Sequence, residues 1–317
     1  MESLLAAKCE DIRESPTRPG KPPMRVLKGI QNGPFNKSVI NLILRLDTED
    51  FWNECITQAG IQRVCAVGSP GIGKSITTAF LIKQLLEDQK TVVFLKRTES
   101  RDSWYCQFVP TADGSRVTTT LFSEETKPSD IPSLRDPKTY YVVDPEKTKD
   151  SCDPSLFVKA KVIINSSPNP MHWGDNEFTK ARDSTRGGCF RVYPLWTLPE
   201  MRAAAPLVLD TCNPDLAMIS QRFYRHGGTA RIVFAEDTDI ADEAQTRDMG
   251  KLTVEQAKSI AMGEMQALDT FSESQPKSSV MGYESKAPYD TRSTTAVLTS
   301  EYVTAEISKK YSINNWK

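Results

Sequence analysis

Histidine is almost missing from this sequence: His172 and His226 are the only two. So few imidazoles leave little room for histidine-based metal chemistry. Cysteine does not replace it. The seven cysteines, an odd number scattered from Cys9 to Cys212, include no C-x-x-C pair. They read as thiols in a reducing compartment, not as a disulfide frame or a zinc site. Long apolar runs are absent as well, and nothing approaches the roughly 20 residues that a membrane helix needs. At the N-terminus, Glu10 and Asp11 follow closely on a very short apolar stretch, Leu4 to Ala7, which is not a secretory signal. An intracellular protein, nuclear or cytoplasmic, with no membrane partner is expected. Charge of one sign is also lacking: Lys+Arg 40 against Asp+Glu 41 leave a net charge of −1. The chain is therefore not a basic nucleic-acid binder throughout, although a local patch stays open.

What is present is a globular profile, 38% hydrophobic and 26% charged. The 317 residues suffice for one large α/β domain with appendages, or for two small domains. The most informative run is Gly68-Ser69-Pro70-Gly71-Ile72-Gly73-Lys74-Ser75. It fits G-x-x-x-x-G-K-[ST] at every fixed position. Small residues let backbone N–H groups curl around the α- and β-phosphates of a nucleotide. Lys74 can reach the β/γ oxygens, and the Ser75 hydroxyl can take one Mg²⁺ position. The flanks suit the motif. Gln62 to Val67 is a short β-prone run, and Leu81 with Leu85 and Ile82 with Leu86 are i,i+4 pairs on the face of a following helix. That helix would point its positive end at the loop.

Along the rest of the chain, residues 1–23 read as a flexible leader ending in the Pro-rich Ser15 to Pro23. Phe35 to Gly60 carries an amphipathic helical pattern. Thr91–Leu95, Thr139–Asp144, Ala160–Asn165 and a short Phe190–Pro194 read as strands. Trp104–Phe108 and Val117–Phe122 flank Asp113-Gly114 and read as a hairpin. Helical patterns follow at Leu198–Leu209, Asp215–His226 and Val254–Phe271. Residues 272–295 read as a linker or long loop, and Ala296–Tyr311 as a strand and then a helix. The expected fold is α/β: a mostly parallel sheet flanked by helices, with a small helical and tail region. The expected organisation is leader 1–23, P-loop NTPase domain 24–240, helical extension 241–272, and linker with a strand-helix segment 273–317.

Turnover needs metal and water placement beyond the loop. A carboxylate at the carboxyl end of a neighbouring buried strand is the expected second metal ligand. Asp144, closing Tyr140-Tyr141-Val142-Val143, fits that place; the alternative is an Asp-Pro turn opener. Glu146 is a candidate to polarise water, displaced by Pro145 from the position directly after the aspartate. Ser166, Ser167 and Asn169 are candidates to contact a γ-phosphate, or are plain turn formers. Arg231, after Gly227-Gly228-Thr229-Ala230 and before a strand-like Ile232-Val233-Phe234, could stabilise transferring charge; surface arginines are more often solvated. Trp173 and Trp196, with Met171 and His172, read as core or docking residues.

The motif order GSPGIGKS, YYVVD, INSSPNPMHW, FRVYPLWTLPEMRAA, RFYRHGGTARIVF resembles the NTPase module of Crinkler effectors and retrotransposon hot spot proteins. The likeness runs from about residue 35 to 240, with an echo at Leu298 to Val303. It implies a STAND- or AAA-like P-loop ATPase coupled to a restriction-type nuclease, often acting in a nucleus, in some cases a host's. The cofactors implied are ATP and Mg²⁺. Family members commonly read G-G-x-P-R where this chain has Gly-Gly-Thr-Ala-Arg, and no Leu-Phe-Leu-Ala-Lys leader is present. No D-…-E-x-K cluster follows Phe234, so nucleic acid is expected as a partner only through a nuclease domain lying elsewhere. No N-K-x-D guanine reader is present, which favours ATP. Two functions lead: a nucleotide switch, with self-association as one output, and a nucleotide-bound effector or scaffold that no longer hydrolyses and acts through protein or DNA contacts. A P-loop kinase is a third, for which the sequence shows no acceptor-binding signature or Arg-rich lid.

Overall fold

A computed structural model describes residues 2–12, 15–17, 19, 22–30, 40–57, 63–97, 103–112, 116–123, 125–144, 158–167, 189–262, 279–285, 289 and 294–311. Its centre is a seven-stranded sheet. Five strands are parallel: β4 (Arg63–Val67), β5 (Val92–Arg97), β8 (Tyr140–Asp144), β9 (Lys161–Ser166) and β10 (Cys189–Val192). The antiparallel hairpin β6 (Ser103–Pro110) and β7 (Val117–Phe122) extends one edge. The spatial order is β10-β4-β9-β8-β5-β6-β7. The expected α/β class with a mostly parallel sheet is what forms.

Alternation along each strand explains why both faces are covered. Val64 and Ala66 of β4, Phe94 of β5, Val142 of β8 and Ile163 of β9 enter one apolar cluster. Cys65, Val67, Leu95, Tyr141, Val143, Val162 and Ile164 enter the other. The first face is covered by α3 (Lys74–Glu87), α2 (Thr48–Thr57) and a small antiparallel sheet of β1 (Lys8–Asp11), β2 (Arg25–Ile30) and β3 (Ile40–Leu44). It also receives α4 (Leu198–Val208), α5 (Leu216–His226) and the short α6 (Ala230–Val233). The second face is covered by α7 (Asp239–Lys251), α8 (Val254–Ala261), the hairpin of β11 (Met281–Ser285) and β12 (Thr294–Leu298), and α9 (Glu301–Tyr311).

Four expectations change. The N-terminal segment is not a free leader: α1 (Glu2–Ala6) and β1 are formed, and Leu4, Ala7 and Ile12 join the first apolar cluster. Of the helical pattern expected from Phe35 to Gly60, the described residues form a helix only at α2, and residues 35–39 and 58–60 lie outside the described residues. Residues 40–44 form β3, because Leu42 and Leu44 alternate inward while Asn41 stays exposed. Ile232-Val233-Phe234 is not strand-like, since Ala230–Val233 closes one helical turn. Residues 272–295 include β11, whose Met281 and Tyr283 are buried. Among the described residues, no helix is long and apolar enough to cross a membrane.

Candidate functional site at the carboxyl end of the sheet

The chain leaves β4 toward β5 on one side of the sheet and later crosses from β9 to β10 on the other. Such a reversal opens a crevice outside the carboxyl ends of the strands. Residues 68–73 lie there, between β4 and α3. Gly71 and Gly73 have φ of 84° and 96°, a region that costs an L-residue about 1–3 kcal/mol. Gly73 is also the N-cap of α3, whose first turn holds no acidic residue. The first intrahelical bond runs from the Thr77 amide to the Gly73 carbonyl at 3.0 Å. The amides of Lys74, Ser75 and Ile76 therefore open toward the crevice, as an anion site requires.

Lys74 is buried and folds back on the loop. Its ammonium donates to the Gly68 carbonyl at 2.6 Å and the Ser69 carbonyl at 3.0 Å. Burial pushes its pKa down to about 7, with Asp144 opposing that shift and Arg231 adding to it. An approaching phosphate would restore the ordinary charge. The Ser69 hydroxyl is buried without a hydrogen-bond partner among the described residues.

The Ser75 hydroxyl donates to Asp144 Oδ1 at 3.1 Å. These residues come from α3 and the end of β8. Asp144 stands on the buried strand next but one to β4, with β9 between them, and the Ser75 side chain closes the gap. Two cis oxygens on Mg²⁺, each at about 2.0–2.1 Å in octahedral geometry, would stand about 3 Å apart. The spacing of the pair thus suits that ion once the Ser75 proton turns away from Asp144. The Ser69 hydroxyl, without a partner among the described residues, and the open α3 amides suit phosphates beside it.

The remaining candidates separate. Ser166 is buried at the end of β9 and donates to the Ser167 carbonyl at 2.7 Å. Arg231 is exposed, and its Cβ lies 2.9 Å from where a Cβ on Gly71 would sit. Its backbone amide donates to the Gly71 carbonyl at 3.0 Å. Pro70 and Ile72 complete the loop, Ile72 buried and Pro70 half-buried. Glu146, Asn169, Met171, His172 and Trp173 lie outside the described residues.

Sequence reasoning missed three contributors. Asn165, buried in β9, donates to Thr78 Oγ1 at 2.8 Å, and its Oδ1 has no partner among the described residues. A polar residue ending an apolar strand next to the loop was its only signal. Arg45, at the end of β3, is buried and donates to the Pro194 carbonyl at 2.7 Å, to the Leu195 carbonyl, and to Glu200 at 3.3 Å. Nothing local in the sequence marks it, since its partners lie about 150 residues away. Trp196, read as a core or docking residue, is buried as expected but donates its indole N–H to the Ile72 carbonyl at 2.9 Å.

No family model matches this chain, and neither a curated protein nor a solved structure matches it.

Proposed function

We propose that this chain is an ATP-binding, Mg²⁺-dependent P-loop NTPase module that acts as a nucleotide switch, of the kind found in Crinkler and retrotransposon hot spot proteins. One observation carries the reading. Ser75 and Asp144, 69 positions apart, place their oxygens 3.1 Å from each other beside the Lys74 loop. In this reading the amides of the Gly68–Ser75 loop hold the phosphates, Lys74 neutralises their charge, and Ser75 with Asp144 holds the metal. Bound there, Mg²⁺ would neutralise charge between the β- and γ-phosphate oxygens. Arg231, exposed beside Gly71, is the candidate to reach charge developing on the γ-phosphate, and Glu146 is the candidate to orient water. A nuclear or cytoplasmic setting, self-association, and nucleic-acid contact through a separate nuclease domain belong to the same proposal.

A second reading, a nucleotide-bound scaffold without turnover, is favoured by Pro145, which displaces Glu146 from the position following Asp144. Phosphate release separates the two. The switch predicts Mg²⁺-dependent release above the Lys74→Ala background, with Asp144→Asn keeping nucleotide affinity while losing turnover. Release equal to the Lys74→Ala background favours the scaffold.

A further inference from the structure

Two consecutive carbonyls of the loop are held by a backbone amide and an indole N–H to which the nucleotide reading gives no role. The Gly71 carbonyl receives the Arg231 amide at 3.0 Å, and the Ile72 carbonyl receives the Trp196 indole N–H at 2.9 Å. The two holding points are themselves joined, because the Trp196 amide donates to the Gly228 carbonyl at 3.2 Å. Trp196 in turn is fixed by Arg45. That guanidinium lies 5.0 Å from the centre of the Trp196 ring and 5.2 Å from that of Tyr193. It also bonds the Pro194 and Leu195 carbonyls between them, and its charge is met by the buried carboxylate of Glu200. Glu200 further accepts from the Thr197 amide at 2.9 Å, closing the capping box of α4. On the near side, the Tyr193 amide donates to the Val67 carbonyl at 2.7 Å, and the Tyr193 carbonyl lies 3.0 Å from where a Gly68 Cβ would sit.

With the Gly71 and Ile72 carbonyls committed to these donors, the loop amides that follow are left free of them, as an anion-binding nest demands. We propose that Trp196, seated by Arg45, is a positioning residue that braces the Gly68–Ser75 loop in its anion-binding conformation. The ligand class is the nucleoside triphosphate of the function proposed above, and the brace rests on that reading only for its consequence in affinity. Arg45 leaves the end of β3, so the brace ties the small N-terminal sheet to the loop. The effect on binding follows from preorganisation: an unbraced loop must order itself when phosphate arrives.

Trp196→Phe tests this, because it removes the indole donor and keeps an apolar ring beside Arg45 and Phe234. Trp52→Phe is the matched control. Trp52 is fully buried in the same apolar cluster, and its indole nitrogen has no hydrogen-bond partner among the described residues. Two readouts are taken on the full chain. In protein without nucleotide, hydrogen exchange at the Arg231 amide, which bonds Gly71, should accelerate in Trp196→Phe and not in Trp52→Phe at matched global stability. In calorimetry with MgATP, Trp196→Phe should bind about five- to tenfold more weakly, the worth of one net hydrogen bond, while Trp52→Phe binds as wild type. Unchanged Arg231 exchange in Trp196→Phe overturns the brace, as does equal weakening by both variants. If wild type itself does not bind MgATP, the nucleotide reading falls, and the exchange measurement alone decides the brace.

Discussion

A single buried side chain, His226, shows how closely charge is managed behind the candidate site. Its Nε2 lies 2.7 Å from Asp242 Oδ1, on α7, and Arg225 Nε lies 2.8 Å from the same oxygen. Burial lowers the His226 pKa below its ordinary 6.5; Asp242 works against that shift, while Arg225 and Arg222 add to it. Between the depressed folded value and 6.5 the unfolded chain binds more protons than the folded one. Stability therefore rises with pH across that window and is lost as pH falls through the folded pKa. Urea midpoints measured from pH 7.5 down to 5 should fall more steeply for wild type than for His226→Gln. Parallel pH profiles would remove His226 from the account.

Between elements, the closest approach to a described glycine is at Gly227, which caps α5 at φ 61°. A Cβ there would stand 1.6 Å from the Thr299 carbonyl, so the segment joining β12 to α9 rests directly on glycine. Ser300 Oγ donates to the Arg225 carbonyl at 2.7 Å, and Gln245 of α7 donates to the same carbonyl at 2.9 Å. The corner from Arg225 to Gly228 thus gathers α5, α7 and α9 one short turn before Arg231 meets the loop. Gly227→Ala should cost at least about 1–3 kcal/mol from backbone strain alone, with the forced displacement of Thr299 adding to it. A thermal midpoint within error of wild type would contradict this packing.

Across the whole molecule, what could be read from the sequence was local. The strand before the loop, the helix after it, the paired strands β6 and β7 and the candidate ligand Asp144 follow from short patterns, because i,i+4 pairs and β-prone runs act over a few positions. Asp113-Gly114 lie outside the described residues. What could not be read depends on distant partners. Ile40–Leu44 looked helical until β2 supplied a pairing edge, and residues 2–12 looked like a leader until Leu4 and Ile12 found the core beside α3. Arg45 is meaningful only beside Glu200 and Trp196, which no spacing rule connects. The loop itself was legible, and the framework that holds it was not.

The central claim is that the Gly68–Ser75 loop binds a nucleoside triphosphate with Mg²⁺. Titration calorimetry of the full chain with MgATP, beside Lys74→Ala, addresses it directly. Charge-assisted hydrogen bonds contribute about 1.5–3 kcal/mol each, so removing the ammonium should weaken binding by about ten- to hundredfold or more. The account predicts saturable one-to-one binding by wild type and binding at least about tenfold weaker by a folded Lys74→Ala variant. Equal binding by the two proteins, or no binding by wild type, would contradict it.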